Sequence, residues 1–249
     1  MHDLEGSRAL VTGASRGIGR AIAVGLAESG CAVAGLARSG DALEQLGAEI
    51  EAGGGAFLAL EHDLADVHGS ATAVERAWAW RGGLDVLVNA AGVIVRSDPL
   101  DVTPSEWDAT FAVNVRGTFF LTQAVGRRML EGDGGSIVTV TSLAGEIPTK
   151  AALSYQASKA ALIQMTRALA GHWAPAVRVN AVAPGYVRTD LNTAWLEDPG
   201  NSGYVLGNTP LGRVGAPADV VGAVRYLASP AAGFVTGQNL RVDGGWSVR

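Results

Sequence analysis

A tyrosine and a lysine stand four residues apart in the segment SYQASKAAL, residues 154–162. At that spacing Tyr155 and Lys159 share one face of a helix, so an ammonium can lie close to a phenol. A phenol with its reference pKa of about 10 is a poor base at neutral pH, and a nearby cation lowers that pKa by about one to three units. The pair is therefore a candidate general acid and base for a reaction at a hydroxyl group.

Ser142 is the candidate partner for the oxygen of the reacting group. It ends the apolar run SIVTVTS, so in a parallel sheet its hydroxyl would lie at the carboxyl edge, where such sheets bind ligands. From there it can hydrogen-bond an oxygen beside the Tyr155 phenol. Each feature also has an ordinary structural explanation, because such tyrosine–lysine pairs are commonly surface pairs and such serines are commonly caps.

Three glycines follow the first apolar run in LVTGASRGIGRAIAVGLAESG. Gly13, Gly17 and Gly19 lie between a predicted strand and a predicted helix, where glycines let the backbone approach a pyrophosphate at the helix N-terminus. Their spacing, G-x-x-x-G-x-G, departs from the G-x-G-x-x-G fingerprint. The loop therefore predicts a dinucleotide site, with a merely tight turn as the alternative.

The end of the second apolar run bears on which dinucleotide binds. About 20 residues past the glycine loop, a carboxylate favours NAD and an arginine favours the 2′-phosphate of NADP. Arg38 lies there, no carboxylate occurs from 36 to 40, and Arg16 in the loop can face the same phosphate. We expect NADP(H), with NAD(H) as the alternative because Asp41 is close. Asp63, in HDLAD, is expected either to contact the adenine or to cap a helix.

The elements that must position these residues follow an alternating pattern. Apolar runs (RALVTG, CAVAGLA, AFLALEHD, LDVLVNAAG, GSIVTVTS, VRVNAVAPG and NLRVDGG) alternate with segments of helical periodicity at 17–29, 41–52, 69–80, 104–130, 152–173 and 217–228. Near-continuous apolar strands are typical of a sheet buried on both faces. The sequence therefore predicts an α/β fold with a doubly wound parallel sheet of about seven strands and helices on both faces.

Composition limits the function classes. The 249 residues, 48% of them hydrophobic, fit one large domain, and a net charge of -5 without charge blocks argues against nucleic acid or a membrane anchor. An acidic N-terminus and no apolar run of membrane-spanning length predict a cytoplasmic location. Cys31 alone cannot form an intrachain disulfide or a Cys-based metal cage, and His2, His62, His68 and His172 are scattered, so we expect no metal.

One segment, 189–215, interrupts the alternation with helix-like pieces broken by Pro and Gly. A long irregular insertion after the carboxyl end of a strand is a candidate substrate lid. It carries Asn192, Trp195 and Tyr204, a mixture that can close on a polyol or on an apolar ketone. The sequence predicts these three side chains as substrate contacts.

Two charged residues outside this segment are further candidates for the substrate. Arg96, in the loop after the fourth apolar run, can reach a carboxylate, and the alternative is a solvated loop arginine. Glu146 follows Ser142 and can accept hydrogen bonds from sugar hydroxyls, although facing inward it would oppose an anionic substrate.

These motifs together resemble the classical short-chain dehydrogenase/reductase family over essentially the whole chain. TGASRGIG (12–19) is similar to the family's cofactor loop, YQASK (155–159) to its Y-x-x-x-K, and NAAG (89–92) to its N-N-A-G with Ala90 at the second Asn. PGYVRT (184–189) and VDGG (242–245) also match. The resemblance implies a Rossmann-like single domain over 1–249, a nicotinamide cofactor, hydride transfer at a secondary alcohol or ketone, and the catalytic set Asn114, Ser142, Tyr155 and Lys159.

The resemblance also implies roles for individual residues. Lys159 would hold the nicotinamide ribose hydroxyls, Asn114 a water that continues the proton path, and Thr189 with the backbone of Val187 the carboxamide. The family's assembly implies a homotetramer formed through paired long helices and the C-terminal segment. The implied cofactor set is Gly13, Ser15, Arg16, Gly17, Ile18, Gly19, Arg38, Asp63, Leu64, Asn89, Ala90, Gly92, Tyr155, Lys159, Pro184, Gly185, Val187 and Thr189.

Within the family the chain resembles the gluconate 5-dehydrogenase and 2-deoxy-D-gluconate 3-dehydrogenase group, which predicts a sugar-acid substrate. One alternative is a 3-oxoacyl-carrier-protein reductase, since Arg127 and Arg128 would offer an acidic carrier a basic patch. Another, from a different class, is a non-catalytic dinucleotide sensor or scaffold on the same fold. The intact serine, tyrosine and lysine set argues against the last.

Overall fold

A computed structural model describes residues 4–248, and its centre is a seven-stranded, wholly parallel sheet. The strand order is β3-β2-β1-β4-β5-β6-β7. The bounds are β1 Arg8–Thr12, β2 Ala32–Ala37, β3 Ala56–Glu61, β4 Val86–Asn89, β5 Gly135–Val140, β6 Val177–Pro184 and β7 Asn239–Val242. The predicted sheet, with its seven strands, is confirmed.

Helices connect the strands and cover the sheet. They are α1 Gly17–Ala27, α2 Gly40–Ala52, α3 Val67–Arg81, α4 Pro104–Phe111, α5 Thr118–Glu131, α6 Leu153–Trp173, α7 Thr193–Leu196, α8 Pro199–Asn208 and α9 Pro217–Ala228. Every helix predicted from periodicity is present, with ends displaced by a few residues. No helix within residues 4–248 combines the length and the apolar character needed to cross a bilayer.

The apolar strands separate two hydrophobic cores. In β1, Ala9 and Val11 pack into one core with Ile22 of α1 and Val224 of α9, whereas Leu10 packs into the other core. That second core also takes residues from α3, α5 and α6. Because side chains alternate along a strand, a strand covered on both faces needs apolar residues at every position. This explains the continuous apolar runs of the sequence.

The predicted helix 104–130 is divided by a π-helical turn. Residues 112–117 form the turn between α4 and α5, and Asn114 lies buried within it. Gly117 packs so closely on the end of the β3 connection that an added Cβ would lie 2.0 Å from the carbonyl oxygen of Leu64. Such turns occur mostly at functional sites. The turn brings the Asn114 amide towards the carboxyl edge of the sheet.

The segment 189–215 is a closed excursion from the sheet that contains α7 and α8. Its two ends are joined, because Arg188 donates its backbone N–H to Gly215 at 2.9 Å and Gly215 donates to Tyr186 at 2.9 Å. Leu196 and Val205 are buried under the segment with Trp246 from the C-terminal turn. The segment is therefore folded and fixed at its base.

Candidate active site

A cavity of about 500 Å³ opens at the carboxyl edge of the sheet. The strand order reverses between β1 and β4, so the connections that follow these strands diverge and leave a crevice there. All predicted cofactor residues except Asn89 line this cavity. Of the predicted substrate residues, those that line it are Arg96, Ser142, Tyr155, Asn192 and Trp195.

The glycine loop forms one wall by backbone alone. Gly13 has φ +69°, and an added Cβ would lie 2.7 Å from the Cα of Ala91 after β4. At Gly19, an added Cβ would lie 2.2 Å from the carbonyl oxygen of Gly13. Thr12 fixes the opposite wall, since its Oγ1 accepts hydrogen bonds from the amides of Ala90 and Ala91 at 3.1 and 3.2 Å. The cradle has room for a phosphate and none for side chains.

Cationic side chains lie at the far end of this cradle. Arg16 and Arg38 are both exposed and line the cavity, and neither forms an ion pair within residues 4–248. Asp63 also lines this end, and its Oδ1 accepts the amide N–H of Ala65 at 3.0 Å. The two guanidinium groups suit a phosphate monoester on the ribose, so the residues fit NADP(H).

Ser142 and Tyr155 meet on the opposite side of the cavity. Both side chains line the cavity, and Ser142 Oγ accepts the N–H of Ala144 at 3.1 Å. Burial raises the pKa of Tyr155, while the Ser142 side chain and the charge of Arg96 act in the opposite direction. A phenol held protonated here can give a proton to a substrate oxygen or, once ionised, take one.

Lys159 lies one helical turn from the phenol, but its contact differs from the expected one. Its Nζ donates to the carbonyl oxygen of Val140 at 2.8 Å and lies 5.6 Å from the centroid of the Tyr155 ring. Burial lowers the pKa of Lys159 to about 8. Burial raises the pKa of Tyr155 and the groups that oppose this are Ser142 and Arg96, so the expected effect of Lys159 on that pKa stays a prediction.

Asn114 lies directly behind Lys159. Its Oδ1 accepts the N–H of Val93 at 2.8 Å, and its Nδ2 donates to the Val93 carbonyl at 2.9 Å and to Ser158 Oγ at 3.0 Å. A Cβ on Gly92 would be 3.5 Å from Lys159 Nζ and 3.6 Å from Asn114 Oδ1. Asn114 is absent from the cavity wall itself, but its oxygen and the ammonium face a common space kept open by Gly92.

Besides Asn114, three predicted site residues lie outside the cavity. Asn89 is buried, and its Nδ2 donates to Thr122 Oγ1 at 2.8 Å, so it ties β4 to α5 and does not face a cofactor. The Glu146 carboxylate turns away towards β7, where it accepts from Asn239 Nδ2 at 2.5 Å and pairs with Arg241. Tyr204 packs among rings behind the cavity wall. None of these three side chains lines the cavity, and their roles as ligand contacts stay predictions.

In the substrate half of the cavity, aromatic rings pack together and cationic side chains lie over two of them. Tyr186 stacks on Trp195 with a centroid separation of 5.6 Å and meets Tyr204 edge-on at 6.3 Å. Arg96 lies over the Trp195 ring at 5.5 Å, and Lys150 lies over the Tyr204 ring at 4.5 Å. Tyr186 and Lys150 both line the cavity and were missed by the sequence analysis. Their closeness to the PG turn and to Tyr155 in sequence was the available signal.

Asn192 lines the cavity, but both ends of its amide are engaged with backbone. Its Oδ1 accepts from the N–H of Thr189 at 2.9 Å, and its Nδ2 donates to the Val187 carbonyl at 2.9 Å. It therefore holds the turn that carries Thr189. A Cβ on Gly17 would approach Thr189 Cγ2 to 3.4 Å, so this turn faces the glycine loop.

The described residues hold no cluster that could bind a metal. No group of three or more His, Cys, Asp or Glu side chains comes together within residues 4–248. His62 interacts with Ser70 at 3.1 Å, and His2 lies outside the described residues.

Known proteins are similar to this chain over nearly its whole length. A family model described as enoyl-(acyl carrier protein) reductase matches residues 13–247. The 2-dehydro-3-deoxy-D-gluconate 5-dehydrogenase of Dickeya dadantii is 38% identical, over 99% of this chain and 98% of that protein. Galactitol 2-dehydrogenase (L-tagatose-forming) of Cereibacter sphaeroides is 40% identical, over 98% and 96%. The crystal structure of a gluconate 5-dehydrogenase from Burkholderia cenocepacia, in complex with NADP and tartrate, has a TM-score of 0.95 and 36% identity, over 99% and 97%.

The chain belongs to the short-chain dehydrogenase/reductase family. This short-chain dehydrogenase/reductase is an oxidoreductase that acts on CH–OH groups with a nicotinamide dinucleotide, and the cavity fits NADP(H). The family assignment predicted from the glycine loop and the tyrosine–lysine motif is confirmed.

Proposed function

We propose that the enzyme interconverts a secondary hydroxyl and a ketone on a sugar acid, with Tyr155 as general acid and base. The observation that carries this proposal is that Ser142, Tyr155 and an exposed arginine, Arg96, line the same cavity, where Ser142 and Arg96 both act to lower the pKa of the phenol. The sugar-acid activity of the D. dadantii relative and the tartrate in the B. cenocepacia gluconate 5-dehydrogenase structure support this substrate class, whereas the galactitol dehydrogenase acts on a neutral polyol.

The chain's residues divide the reaction between them. A bound nicotinamide supplies the hydride acceptor or donor. In the oxidation, Ser142 holds the substrate hydroxyl, and ionised Tyr155 takes its proton as the C–H bond breaks and the carbonyl forms. We assign Lys159 to the ribose hydroxyls, Asn114 to a water behind the lysine, and the turn of Thr189 and Val187 to the carboxamide.

We further propose that residues 1–249 form one catalytic domain in which 189–215 covers the substrate. The joined ends of this segment and its aromatic wall support a lid whose base stays fixed while the part near α7 moves. A cytoplasmic location stays a prediction of the sequence.

A homotetramer is the proposed assembly. Exposed apolar side chains occur on the long helices, with Trp107 at 37% and Phe120 at 41% exposure. Others occur near the C-terminus, where Phe234 is fully exposed and Val248 is 79% exposed. Faces of this kind are typical of subunit contacts. A light-scattering mass of four chains is the expected result.

The alternative of a carrier-protein reductase loses its main support. Arg127 and Arg128 lie on α5 and do not line the cavity. Arg128 Nε lies 3.3 Å from Glu75 Oε1, and its guanidinium lies over the Trp78 ring at 5.1 Å. Neither arginine therefore contributes charge to the cavity lining, and Arg128 already has an acidic partner.

A substrate panel tests the proposal. Sugar acids, neutral polyols, cyclic ketones and 3-oxoacyl thioesters are assayed with NADP(H) and NAD(H) in both directions. We expect the highest kcat/KM with a sugar acid and NADP(H). Highest turnover with a 3-oxoacyl thioester would replace this proposal by the carrier-linked reaction, and an absence of turnover with every class would support a sensor.

A further inference from the structure

We propose that Lys150 forms, at the opposite end of a row of rings from Arg96, a cationic subsite for the substrate carboxylate, which selects sugar acids over neutral polyols. The inference rests on the proposed function and extends it to a residue that the sequence analysis did not single out. Lys150 and Lys159 are the only lysines in the chain, and both line the cavity. Lys159 is buried beside Tyr155, whereas Lys150 is exposed.

The backbone of Lys150 is fixed relative to the reacting centre. The side chain of Gln156, the residue after Tyr155, accepts the N–H of Thr149 at 3.2 Å. Its Nε2 donates to the carbonyls of Thr149 at 3.3 Å and Ala151 at 2.7 Å, on either side of Lys150. The helix that carries the phenol thus also holds the loop that carries this lysine. An ordered loop at a cavity loses less conformational entropy when it binds a ligand.

The side chain of Lys150 is directed by a ring and not by a carboxylate. Its Nζ lies 4.5 Å from the centroid of Tyr204, and it forms no ion pair within residues 4–248. Arg96 is placed in the same way on Trp195, and it too forms no ion pair there. Both cations therefore keep hydrogen-bond donors for a ligand, because a ring face takes none of the N–H groups that a carboxylate would.

The two cations lie at opposite ends of one row of rings. Tyr186 stands between Trp195 and Tyr204, so Arg96 lies at one end of the row and Lys150 at the other. The row forms a wall of the cavity at Tyr186 and Trp195. A ligand against this wall meets positive charge at both ends.

Nearby carboxylates do not cancel this charge. Glu146, the acid next to the catalytic loop, is turned towards Arg241. The carboxylates that line the cavity are Asp63, which follows β3 beside the nucleotide-facing Arg38, and Asp190, which begins the lid next to Thr189. This wall of the cavity therefore favours an anion, and charge-assisted hydrogen bonds to a carboxylate are stronger than neutral ones to a hydroxyl.

The kinetic test compares gluconate with glucitol, its neutral counterpart of equal carbon number, in the wild type, Lys150→Met and Lys150→Arg. We expect Lys150→Met to lower the ratio of kcat/KM for gluconate to that for glucitol by about tenfold, the loss of one charge-assisted contact. Lys150→Arg should restore most of the ratio. Arg127→Met, which removes a charge from α5 outside the cavity, should leave the ratio unchanged. An unchanged ratio in Lys150→Met overturns the subsite.

A labelling experiment reads the subsite through a signal other than turnover. An N-hydroxysuccinimide ester acylates Lys150 in the wild type with NADP+ present, and mass spectrometry follows the peptide; buried Lys159 serves as the slow internal reference. We expect gluconate to slow acylation of Lys150 several-fold and glucitol not to. Protection without turnover keeps the subsite and overturns the proposed reaction. Turnover of gluconate without protection overturns the subsite and keeps the reaction.

Discussion

The two halves of the cavity are specified in different ways. The nucleotide half is formed by backbone that tolerates no side chain, since an added Cβ at Gly13 or Gly19 would lie within 3 Å of backbone atoms. The substrate half is formed by large side chains such as Trp195, Tyr186 and Lys150, and a Cβ added at Gly203 in the segment 189–215 would meet open space. One half therefore depends on the conformation of the chain, and the other on which side chains line it.

This difference explains why the family can share a cofactor and differ in substrate. A loop without side chains has few ways to change and still hold a phosphate at a helix N-terminus. A wall of rings and cations such as Trp195, Tyr186 and Lys150 can be altered without disturbing the sheet, because these residues lie in connections that follow the strands and not in the strands themselves. Fold-level likeness accordingly identifies the reaction class, and we expect the side chains of this wall to determine the substrate.

Tyr155→Phe gives the largest expected effect, because Tyr155 lies where the two halves meet. Removing the phenol hydroxyl should lower kcat by roughly 10³-fold, within the range for loss of general acid–base catalysis. The Kd for NADPH, measured by fluorescence titration, should stay within about twofold because the nucleotide half is untouched. Tyr204→Phe removes a hydroxyl behind the wall and should retain kcat. Wild-type turnover in Tyr155→Phe would show that another group moves the proton.

A pair of glycine substitutions tests the contrast directly. Gly19→Ala places a Cβ 2.2 Å from the Gly13 carbonyl oxygen, so the loop must shift. We expect a loss of about 1–3 kcal/mol in the free energy of unfolding, as for overpacked sites, together with weaker NADPH binding. Gly203→Ala lies inside α8 without close neighbours, and it should raise stability by about 0.5–1 kcal/mol. Urea unfolding of both variants measures this, and equal effects would remove the contrast.

Arg38→Asp should affect the nucleotide half alone. Loss of the guanidinium from the 2′-phosphate side should lower kcat/KM for NADPH by about 10- to 100-fold, the range for hydrogen bonds to a charged group. Activity with NADH should hold or rise, and the KM for the sugar substrate should not change. Arg127→Asp on α5 controls for net charge. A wild-type preference for NADH would contradict the phosphate assignment.

The sequence predicts the nucleotide half well because the shape of that half depends on backbone conformation, which the spacing of glycines and apolar residues indicates. Gly13, Gly17 and Gly19 indicate by their spacing where a turn must be tight, and continuous apolar runs indicate a sheet covered on both faces. The strands, the principal helices and the lining of the cofactor cradle follow from such local rules. The chain order then brings Ser142 and Tyr155 to one edge.

The sequence does not predict the orientation of a side chain that can point to either side of a loop. Glu146 is one turn from Ser142 in sequence, yet a distant strand supplies Asn239 and Arg241, and the carboxylate turns to them. Tyr204 is drawn behind the wall by Trp246 from the C-terminus. The π-helical turn at 112–117 depends on contact between Gly117 and residue 64. Such choices are made by contacts far apart in sequence, which a local pattern does not contain.

The smallest expected effect is a pH dependence of the free energy of unfolding that comes from Lys159. Its pKa falls from 10.5 to about 8 on folding because the ammonium is buried. Below about pH 8 both states are protonated and the full penalty is present; between about pH 8 and 10.5 the unfolded chain binds a proton that the folded chain has released, so the free energy of unfolding rises with pH. Lys159→Met lacks this rise. Between about pH 7.5 and 9.5, the free energy of unfolding measured by urea titration should therefore rise by roughly 1–2 kcal/mol more in the wild type than in Lys159→Met. The raised pKa of Tyr155 contributes an opposing loss only above its reference value near 10, so the window ends below it. If the difference in the free energy of unfolding between the wild type and Lys159→Met is constant across this range, the ammonium is solvated in the folded state. Lys159 would then belong to the nucleotide half, which is open to water, and not to a buried region between the two halves.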